Sequence, residues 1–219
     1  MTGLSWDEEL TKTLENSARA WFRELQDLTE IRIPRCLIVN GKQIDNMSLH
    51  TFTDASEDAY GAVVYIRCSY KDETVSTNIV AAKTRVTPSK ATSIPRLELM
   101  GAVIGVRLAA RIAGVLELQM SQQIFWSDSQ NVLWWIRGRS RDFKPFVANR
   151  VGEIQTTTNP EQWRYIPTSL NPADLLSRGM KTAELLDCDR WWTGPEFLKK
   201  SEDVCQQESF MLNTLYMMK

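Results

Sequence analysis

Between Leu49 and Lys83 three apolar runs follow one another with only short polar breaks, and this limits the fold more than any other feature of the chain. The first runs from Leu49 to Asp54 and the second from about Gly61 to Ser69. The third follows the turn Lys71-Asp72-Glu73 and continues to about Lys83. Strand-length runs separated by tight polar turns predict an antiparallel meander. Beyond it the period changes. Pro95 suits a first helical turn, and Leu97, Gly101, Ile104, Leu108 and Ile112 then line one helical face. Gly101 and Gly105 allow that helix to approach a sheet closely, at some cost in helix propensity. Gln123–Ser127 reads as a fourth strand, with Ile124, Trp126 and Asp128 on one face, and a helix starts at once after it. Phe143, Phe146, Val147, Val151 and Ile154 mark another helix, Trp163–Ile166 a fifth strand, and Asn171-Pro172 the cap of a last helix. The predicted order is βββαβα(α)βα, without internal repeats.

Upstream, Ser5 and Glu8 have capping-box spacing, and Leu10, Leu14, Trp21, Leu25 and Leu28 recur on one helical face, which predicts an amphipathic helix ending before Pro34. Residues 31–44 read as an extended linker. Three segments result: a helix and linker over 1–47, a main domain over 48–182 and an extension over 183–219, in which Met211, Leu212, Leu215, Tyr216 and Met217 suit a short helix.

A chain of 219 residues with 43% hydrophobic residues can bury a full core. No run of about 20 apolar residues is evident and the first residues do not resemble a secretion signal, so an intracellular, cytoplasmic protein without membrane contact is expected. Cys36, Cys68, Cys188 and Cys205 form no CxxC pair, and the one histidine, His50, falls inside a strand. A zinc set, a disulfide framework and a Cys/His nucleophile are therefore disfavoured. P-loop, GxGxxG and GxSxG signatures are absent. The net charge of −1 argues against a uniformly basic nucleic-acid binder, although Arg137, Arg139, Arg141 and Lys144 crowd one stretch and Lys83, Arg85, Lys90 and Arg96 another.

Four acids punctuate the predicted elements: Asp54 ends the first strand, Glu98 sits in the first turn of the first long helix, Asp128 follows the fourth strand, and Asp174 opens the last helix. Each has an ordinary structural role available, through a turn, a helix cap or the helix dipole. Taken together they are the raw material of a divalent-metal site. If strands one and four are neighbours, Asp54 and Asp128 approach closely, and two carboxylates at that separation resist joint ionisation unless a cation intervenes. Mg²⁺ suits such a cluster, since it is held by a few carboxylates with water and phosphate oxygens.

The order of elements, with Phe52-Thr53-Asp54-Ala55-Ser56, Pro95-Arg96-Leu97-Glu98-Leu99, Ser127-Asp128-Ser129-Gln130 and Asn171-Pro172-Ala173-Asp174-Leu175-Leu176-Ser177-Arg178-Gly179, resembles the ribonuclease H domain of LTR-retrotransposon Pol polyproteins, the BEL/Pao group above all. Motifs support the likeness from Leu49 to Gly179. Residues 6–36 resemble the stretch joining reverse transcriptase to ribonuclease H, and Trp191–Leu198 the stretch toward integrase. The resemblance implies an α/β ribonuclease H-like fold: a five-stranded mixed sheet, three strands antiparallel and the others parallel, flanked by helices, with an N-terminal helical extension.

It also implies a two-metal-ion endonuclease that cleaves the RNA strand of RNA/DNA hybrids during reverse transcription and leaves 5′-phosphate and 3′-hydroxyl ends. By that likeness Asp54 would bridge two Mg²⁺ ions, with Mn²⁺ as a substitute; Asp174 would serve the ion that activates water, and Glu98 and Asp128 the ion beside the leaving oxygen. Gln130, Thr92 and Ser93 are candidate readers of the 2′-hydroxyl, and Arg137, Arg139, Arg141 and Lys144 of the phosphate backbone. The reverse transcriptase portion of the same polyprotein would be a partner. Many relatives carry a histidine in the loop before the last acid, where this chain has Tyr165-Ile166-Pro167-Thr168-Ser169-Leu170, so turnover is expected to be modest. A non-catalytic module of a reverse transcriptase, or another nuclease or transposase of the same superfamily, are the alternatives.

Overall fold

The structure, a computed structural model, describes residues 5, 7–33 and 36–200. Trp6, Pro34, Cys205 and the helix expected within 201–219 lie outside the described residues. Two compact units are present: Met1–Arg35 with Met180–Cys188, and Cys36–Gly179 with Asp189–Lys219.

In the smaller unit, α1 (Lys12–Glu24) is capped by Thr11, whose hydroxyl accepts from the Leu14 N–H, and a 3₁₀ turn over Leu25–Glu30 follows. The Ser5–Glu8 contact forms, with the Ser5 N–H donating to Glu8 Oε2 at 3.0 Å, but it closes a turn ahead of the helix and does not open it. No residue of α1 is buried; Trp21 is 57% exposed and Phe22 63%. The Leu25–Glu30 turn packs against α6 (Thr182–Leu186).

The larger unit is built on one sheet of β1 (Ile44–Ala55), β2 (Ala59–Tyr70), β3 (Val75–Val86), β4 (Gln123–Ser127) and β5 (Trp163–Tyr165), in the spatial order β3-β2-β1-β4-β5. β1, β2 and β3 pair antiparallel, while β1–β4 and β4–β5 pair parallel. The helices are α2 (Ile94–Leu116), α3 (Gln130–Arg137), α4 (Pro145–Thr157), α5 (Ala173–Arg178) and α7 (Asp189–Thr193). This is the expected mixed five-stranded sheet. β1 starts at Ile44, ahead of the expected Leu49, because Asp45 and Asn46 belong to an irregular end of the β1–β2 ladder whose pairing the backbone supplies.

Period two divides the two sheet faces. On one, Phe52, Val63, Tyr65 and Trp126 pack with Ile166, Ala173, Phe197 and Leu198. On the other, α2 lies against β1 and β2, and Leu99, Val103, Val106 and Phe125 join Val132, Leu133, Val151 and Ile154 of α3 and α4. α2 is apolar and long enough by composition to cross a bilayer, contrary to the expectation that no such stretch exists. Its apolar character is used on the sheet, where Leu97, Leu99, Ala102, Val106 and Ala109 are buried.

The residues after Gly194, assigned from sequence to an extension, are part of this core. Phe197 packs on Trp126 with ring centroids 5.0 Å apart, and Leu198 is fully buried. Arg67, buried on β2, donates from Nε to the Leu198 carbonyl and from Nη2 to the Lys200 carbonyl, both at 2.9 Å. Tyr65 Oη donates to the Trp191 carbonyl at 2.8 Å. The guanidinium thus satisfies carbonyls that the sheet leaves unpaired. Cys36, Cys68 and Cys188 are free thiols.

His50 is a satisfied core residue. Trp126 Nε1 donates to its Nδ1 at 3.2 Å, which leaves Nε2 to donate to Ser48 Oγ at 3.1 Å. Burial first, then the charges of Arg67 and Arg164, push its pKa down to about 3.

Two predictions follow from these contacts. Unfolded His50 takes up a proton near pH 6.5 and folded His50 only near 3, so its contribution to stability is complete above about pH 6.5 and is lost as pH falls through that window. The stability difference between wild type and His50→Gln should therefore shrink on acidification from pH 7 to pH 4 in denaturant titrations; a constant difference refutes it. Arg67→Met should cost about 1–3 kcal/mol and expose residues 189–200 to protease, since it leaves the buried Leu198 carbonyl without its donor and frees the Lys200 carbonyl. An unchanged digestion pattern counts against this role.

Candidate active site

The sheet register brings the first two acids together. Thr53 of β1 is aligned with Ser127 of β4, so Asp54 and Asp128 are the next residues on adjacent parallel strands, whose spacing is about 4.8 Å. Asp54 is buried and Asp128 half-buried. Glu98 comes from the first turns of α2, on the face that α2 covers, and Asp174 from α5 on the opposite face.

α2 reaches the strand ends because two glycines remove side chains at the crossing. A Cβ on Gly101 would lie 2.9 Å from the Asp54 carbonyl oxygen, and one on Gly105 2.7 Å from the Thr53 methyl. Neither position has room for any other residue.

Three of the four carboxylates feel the charge of a neighbouring acid. Burial first, and the charge of Asp128 second, hold Asp54 up at about 7, with a smaller push from Asp174. Burial and then Asp174 raise Asp128, although bonds from Thr168 and Asn171 oppose the rise. Burial also raises Glu98, against a hydrogen bond from Ser129 and with a further push from Asp128. The cluster is therefore short of positive charge. Among the described residues, the cation ion-paired with it is Arg178, whose Nε lies 2.6 Å from Asp174 Oδ1.

Asp54, Glu98 and Asp128 are also oriented by neutral donors, and these donors were not singled out from sequence. Ser177 Oγ donates to Asp54 Oδ2. Ser129 Oγ donates to Glu98 Oε2 at 2.6 Å while accepting from the Val132 N–H, so one hydroxyl caps α3 and aims Glu98. Thr168 Oγ1 donates to Asp128 Oδ2 at 2.6 Å and Asn171 Nδ2 to Oδ1 at 3.4 Å. Asn171, fully buried, also bonds the Thr53 carbonyl and accepts from the Ala173 N–H at the start of α5. The ordinary roles available to two acids are filled by neighbours: Ser129, not Asp128, caps α3, and Ser56, not Asp54, closes the β1–β2 turn. Ser and Thr beside Asp in both motifs were the signal available in the sequence.

The donor set is all oxygen and anionic, which fits a hard divalent cation in chemistry and charge. Among the described residues, no three His, Cys, Asp or Glu side chains converge to metal-ligating distance. Holding an ion here requires the acids to draw closer, Asp174 turning away from Arg178, while Ser129 and Ser177 each engage one oxygen of Glu98 and Asp54 and leave the other for a ligand.

The candidate substrate residues lie on segments that follow Asp128 and precede Glu98. Gln130 is the exposed first residue of α3, two positions beyond Asp128. Ser93 precedes α2 without making a side-chain cap, and Thr92 Oγ1 donates to the Lys90 carbonyl. Arg137 ends α3, Arg139 and Arg141 flank and occupy a 3₁₀ turn, and Lys144 precedes α4; all four are exposed. Gln155 fixes that connection through the Ile136 and Gly138 carbonyls, and Trp134, 63% exposed, packs edge-on against Phe143 beside it.

Comparison with known proteins places the chain. Solved structures with similar folds include the N-terminal RNase H domain of a Mycobacterium tuberculosis protein, 13% identical over 74% of this chain and 99% of that one, with a TM-score of 0.38. RNase H1 of Halobacterium salinarum is 11% identical over 56% of this chain and 86% of its own, with a TM-score of 0.33. LC11-RNase H1, solved with an RNA/DNA hybrid, is 10% identical over 57% and 88%, with a TM-score of 0.37. No curated protein matches. A family profile does match, over residues 1–129, which takes in β1, α2 and three of the four acids, and the chain belongs to the family it defines, the Pao retrotransposon-like RNaseH-like domains.

Proposed function

We propose that the chain is a metal-dependent endonuclease that hydrolyses the RNA strand of RNA/DNA hybrids and leaves 5′-phosphate and 3′-hydroxyl ends. The observation that carries this reading is the placement of Asp54 and Asp128 directly after paired residues of neighbouring parallel strands, with Glu98 and Asp174 supplied from opposite faces of the sheet.

Asp54, Glu98, Asp128 and Asp174 would hold two Mg²⁺ ions, or Mn²⁺ in their place. When bound, such ions supply positive charge against the anionic transition state and acidify a water nucleophile. The protein's own part is positional. Ser129 and Ser177 keep Glu98 and Asp54 aimed toward the strand ends, and Asn171 ties the Asp174 segment to β1. Thr168 stands in the loop before Asp174, where many related enzymes have histidine, and holds Asp128; a neutral hydroxyl there carries no titrating proton, in keeping with modest turnover.

Gln130, two residues after Asp128, and Ser93, five before Glu98, carry polar groups suited to a 2′-hydroxyl, the feature that separates an RNA strand from DNA. Arg137, Arg139, Arg141 and Lys144, with Trp134, offer phosphate contacts and a stacking surface. We place the activity within reverse transcription, in the cytoplasm, with the exposed Trp21 and Phe22 of α1 facing the polymerase portion of the same polyprotein.

A labelled hybrid should be cut in Mg²⁺ or Mn²⁺, with RNA and DNA duplexes left intact, and Asp128→Asn should lower the rate about 100-fold or more. Ser129→Ala should lose roughly 10- to 100-fold, as expected when a partner that orients a metal ligand is removed. Cleavage that survives chelation, or survives in Asp128→Asn, refutes the assignment. Hybrid binding without cleavage would favour a partner-dependent or non-catalytic module.

The raised Asp54 carboxyl makes a second, independent test. Its folded pKa of about 7 exceeds the unfolded 3.8, so its favourable contribution is present below about pH 4 and is lost as pH rises through 7. In metal-free buffer at pH 8, Asp54→Asn should raise Tm by about 2–4 °C for each kcal/mol of repulsion relieved. Mg²⁺ should raise the wild-type Tm and leave the variant nearly unmoved. A lower Tm in the variant would show that Asp54 is not under electrostatic strain.

A further inference from the structure

A second concentration of charge, opposite in sign, lies along the flank of α2. Met100, Ile104, Arg107, Leu108 and Arg111 recur at helical spacing and form one wall, which extends over about 16 Å. Facing it are Tyr60 of β2 and Lys83 and Arg85 of the edge strand β3, set by the register Tyr60↔Arg85 and Ala62↔Lys83. Arg150 and Glu153 of α4 border one part of it. The result is two adjoining hollows of about 290 and 250 Å³ that share Arg85, Ile104 and Arg107.

Five cations line this groove, Lys83, Arg85, Arg107, Arg111 and Arg150, against one carboxylate, Glu153, on a chain whose net charge is −1. Glu153 is taken by Arg107 in a two-point ion pair of 2.5 and 2.9 Å. Among the described residues Lys83, Arg85 and Arg111 have no carboxylate partner. Lysine on an edge strand also discourages sheet-to-sheet association, but that role does not require arginines on the helix across the groove. Like charges that converge across a hollow repel one another, and a bound polyanion relieves the repulsion.

We propose that this groove holds the phosphodiester backbone of nucleic acid beyond the cleavage position. The inference rests on the nuclease reading for its substrate and deepens it by naming where the hybrid is gripped. The groove is an open track and not a closed pocket, which disfavours a small phosphorylated metabolite. Its cations repeat at about 6 Å between Arg107 and Arg111 on the helix and about 6.7 Å between Lys83 and Arg85 on the strand. Both repeats resemble that of successive phosphates along one strand. Ile104 and Leu108 between them present apolar surface and no base-reading groups, so the grip is independent of sequence. One end, at Met100, lies about 3 Å along the α2 axis from Glu98, which projects from the other side of the helix, so nucleic acid held in the groove reaches the acid cluster by passing over the first turn of α2.

The test is equilibrium binding of a labelled 20-base-pair hybrid to the full chain in chelator, at salt from 50 to 200 mM. The triple variant Lys83→Gln/Arg85→Gln/Arg111→Gln is compared with wild type, folding being checked by thermal melting. Lost phosphate contacts should raise Kd about 10-fold or more at 50 mM salt and lower the slope of log K against log salt by about 2–3. Arg85→Lys, which keeps the charge, should retain most of the affinity. An unchanged slope in the folded triple variant overturns the proposal, even if wild type cleaves hybrid. Competition by poly-glutamate as effective as by hybrid also overturns it, and assigns the groove to an acidic protein. A groove-dependent slope in a wild type that does not cleave supports the groove and counts against the nuclease.

Discussion

The contact on which the site depends is the bare crossing of α2 over β1 and β2. A Cβ on Gly101 would press on the Asp54 carbonyl, and one on Gly105 would come within 2.7 Å of the Thr53 methyl. Each glycine costs a helix roughly 1 kcal/mol against alanine. α2 bears that cost because the same approach buries Leu97, Leu99, Ala102, Val106 and Ala109, and fully burying one large apolar side chain is worth about 1.5–3 kcal/mol. Close packing also delivers Glu98 to a strand end it could not otherwise reach. The helix could not be moved outward by one methyl group without separating Glu98 from Ser129.

Proximity of that kind stores unfavourable energy. Asp54, Glu98 and Asp128 all have raised pKa values, with burial as the main cause and neighbouring charge added to it. Elsewhere in the unit the trend is toward saturation: Arg67 satisfies two carbonyls, His50 engages both ring nitrogens, and Asn171 bonds in three directions. The contrast is what a functional site on a stable scaffold looks like, since strain tolerated at one place must be supported around it. His50 and Asp54 also act on stability with opposite signs as pH falls. Burial opposes charge in both, but for histidine the charged form is the protonated one and for aspartate the deprotonated one.

Much of this arrangement was legible in the sequence. Short turns between apolar runs required a meander, and a helix between strands three and four returned the chain to pair parallel with β1, which sets Asp54 beside Asp128. What was not legible depended on choices between adjacent residues or between distant ones. Ser129 and Asp128 are both good helix caps, and only the folded register shows that Asp128 is turned to Thr168 and Asn171. For α1, Ser5 and Glu8 have the capping-box spacing, yet Thr11 caps the helix. The segment 189–200 looked like an appendage because its anchor, Arg67, lies more than 120 positions away and reads locally as an exposed strand residue.

One-dimensional charge patterns do not show which charges converge. Arg137 to Lys144 is dense in sequence, yet it lies along a connection whose side chains point to solvent. Lys83 and Arg85 are sparser, and Arg107 and Arg111 form no run at all. Folding places these four across a single groove, and it is the convergence of charges that sets the local potential. α2 therefore serves the molecule on three sides. Its apolar face binds the sheet, its first turns present Glu98 to the acid cluster, and its outer flank carries arginines at one-turn intervals. Helical geometry alone ties these functions together: rotating α2 by a fraction of a turn to improve one of them would spoil the other two.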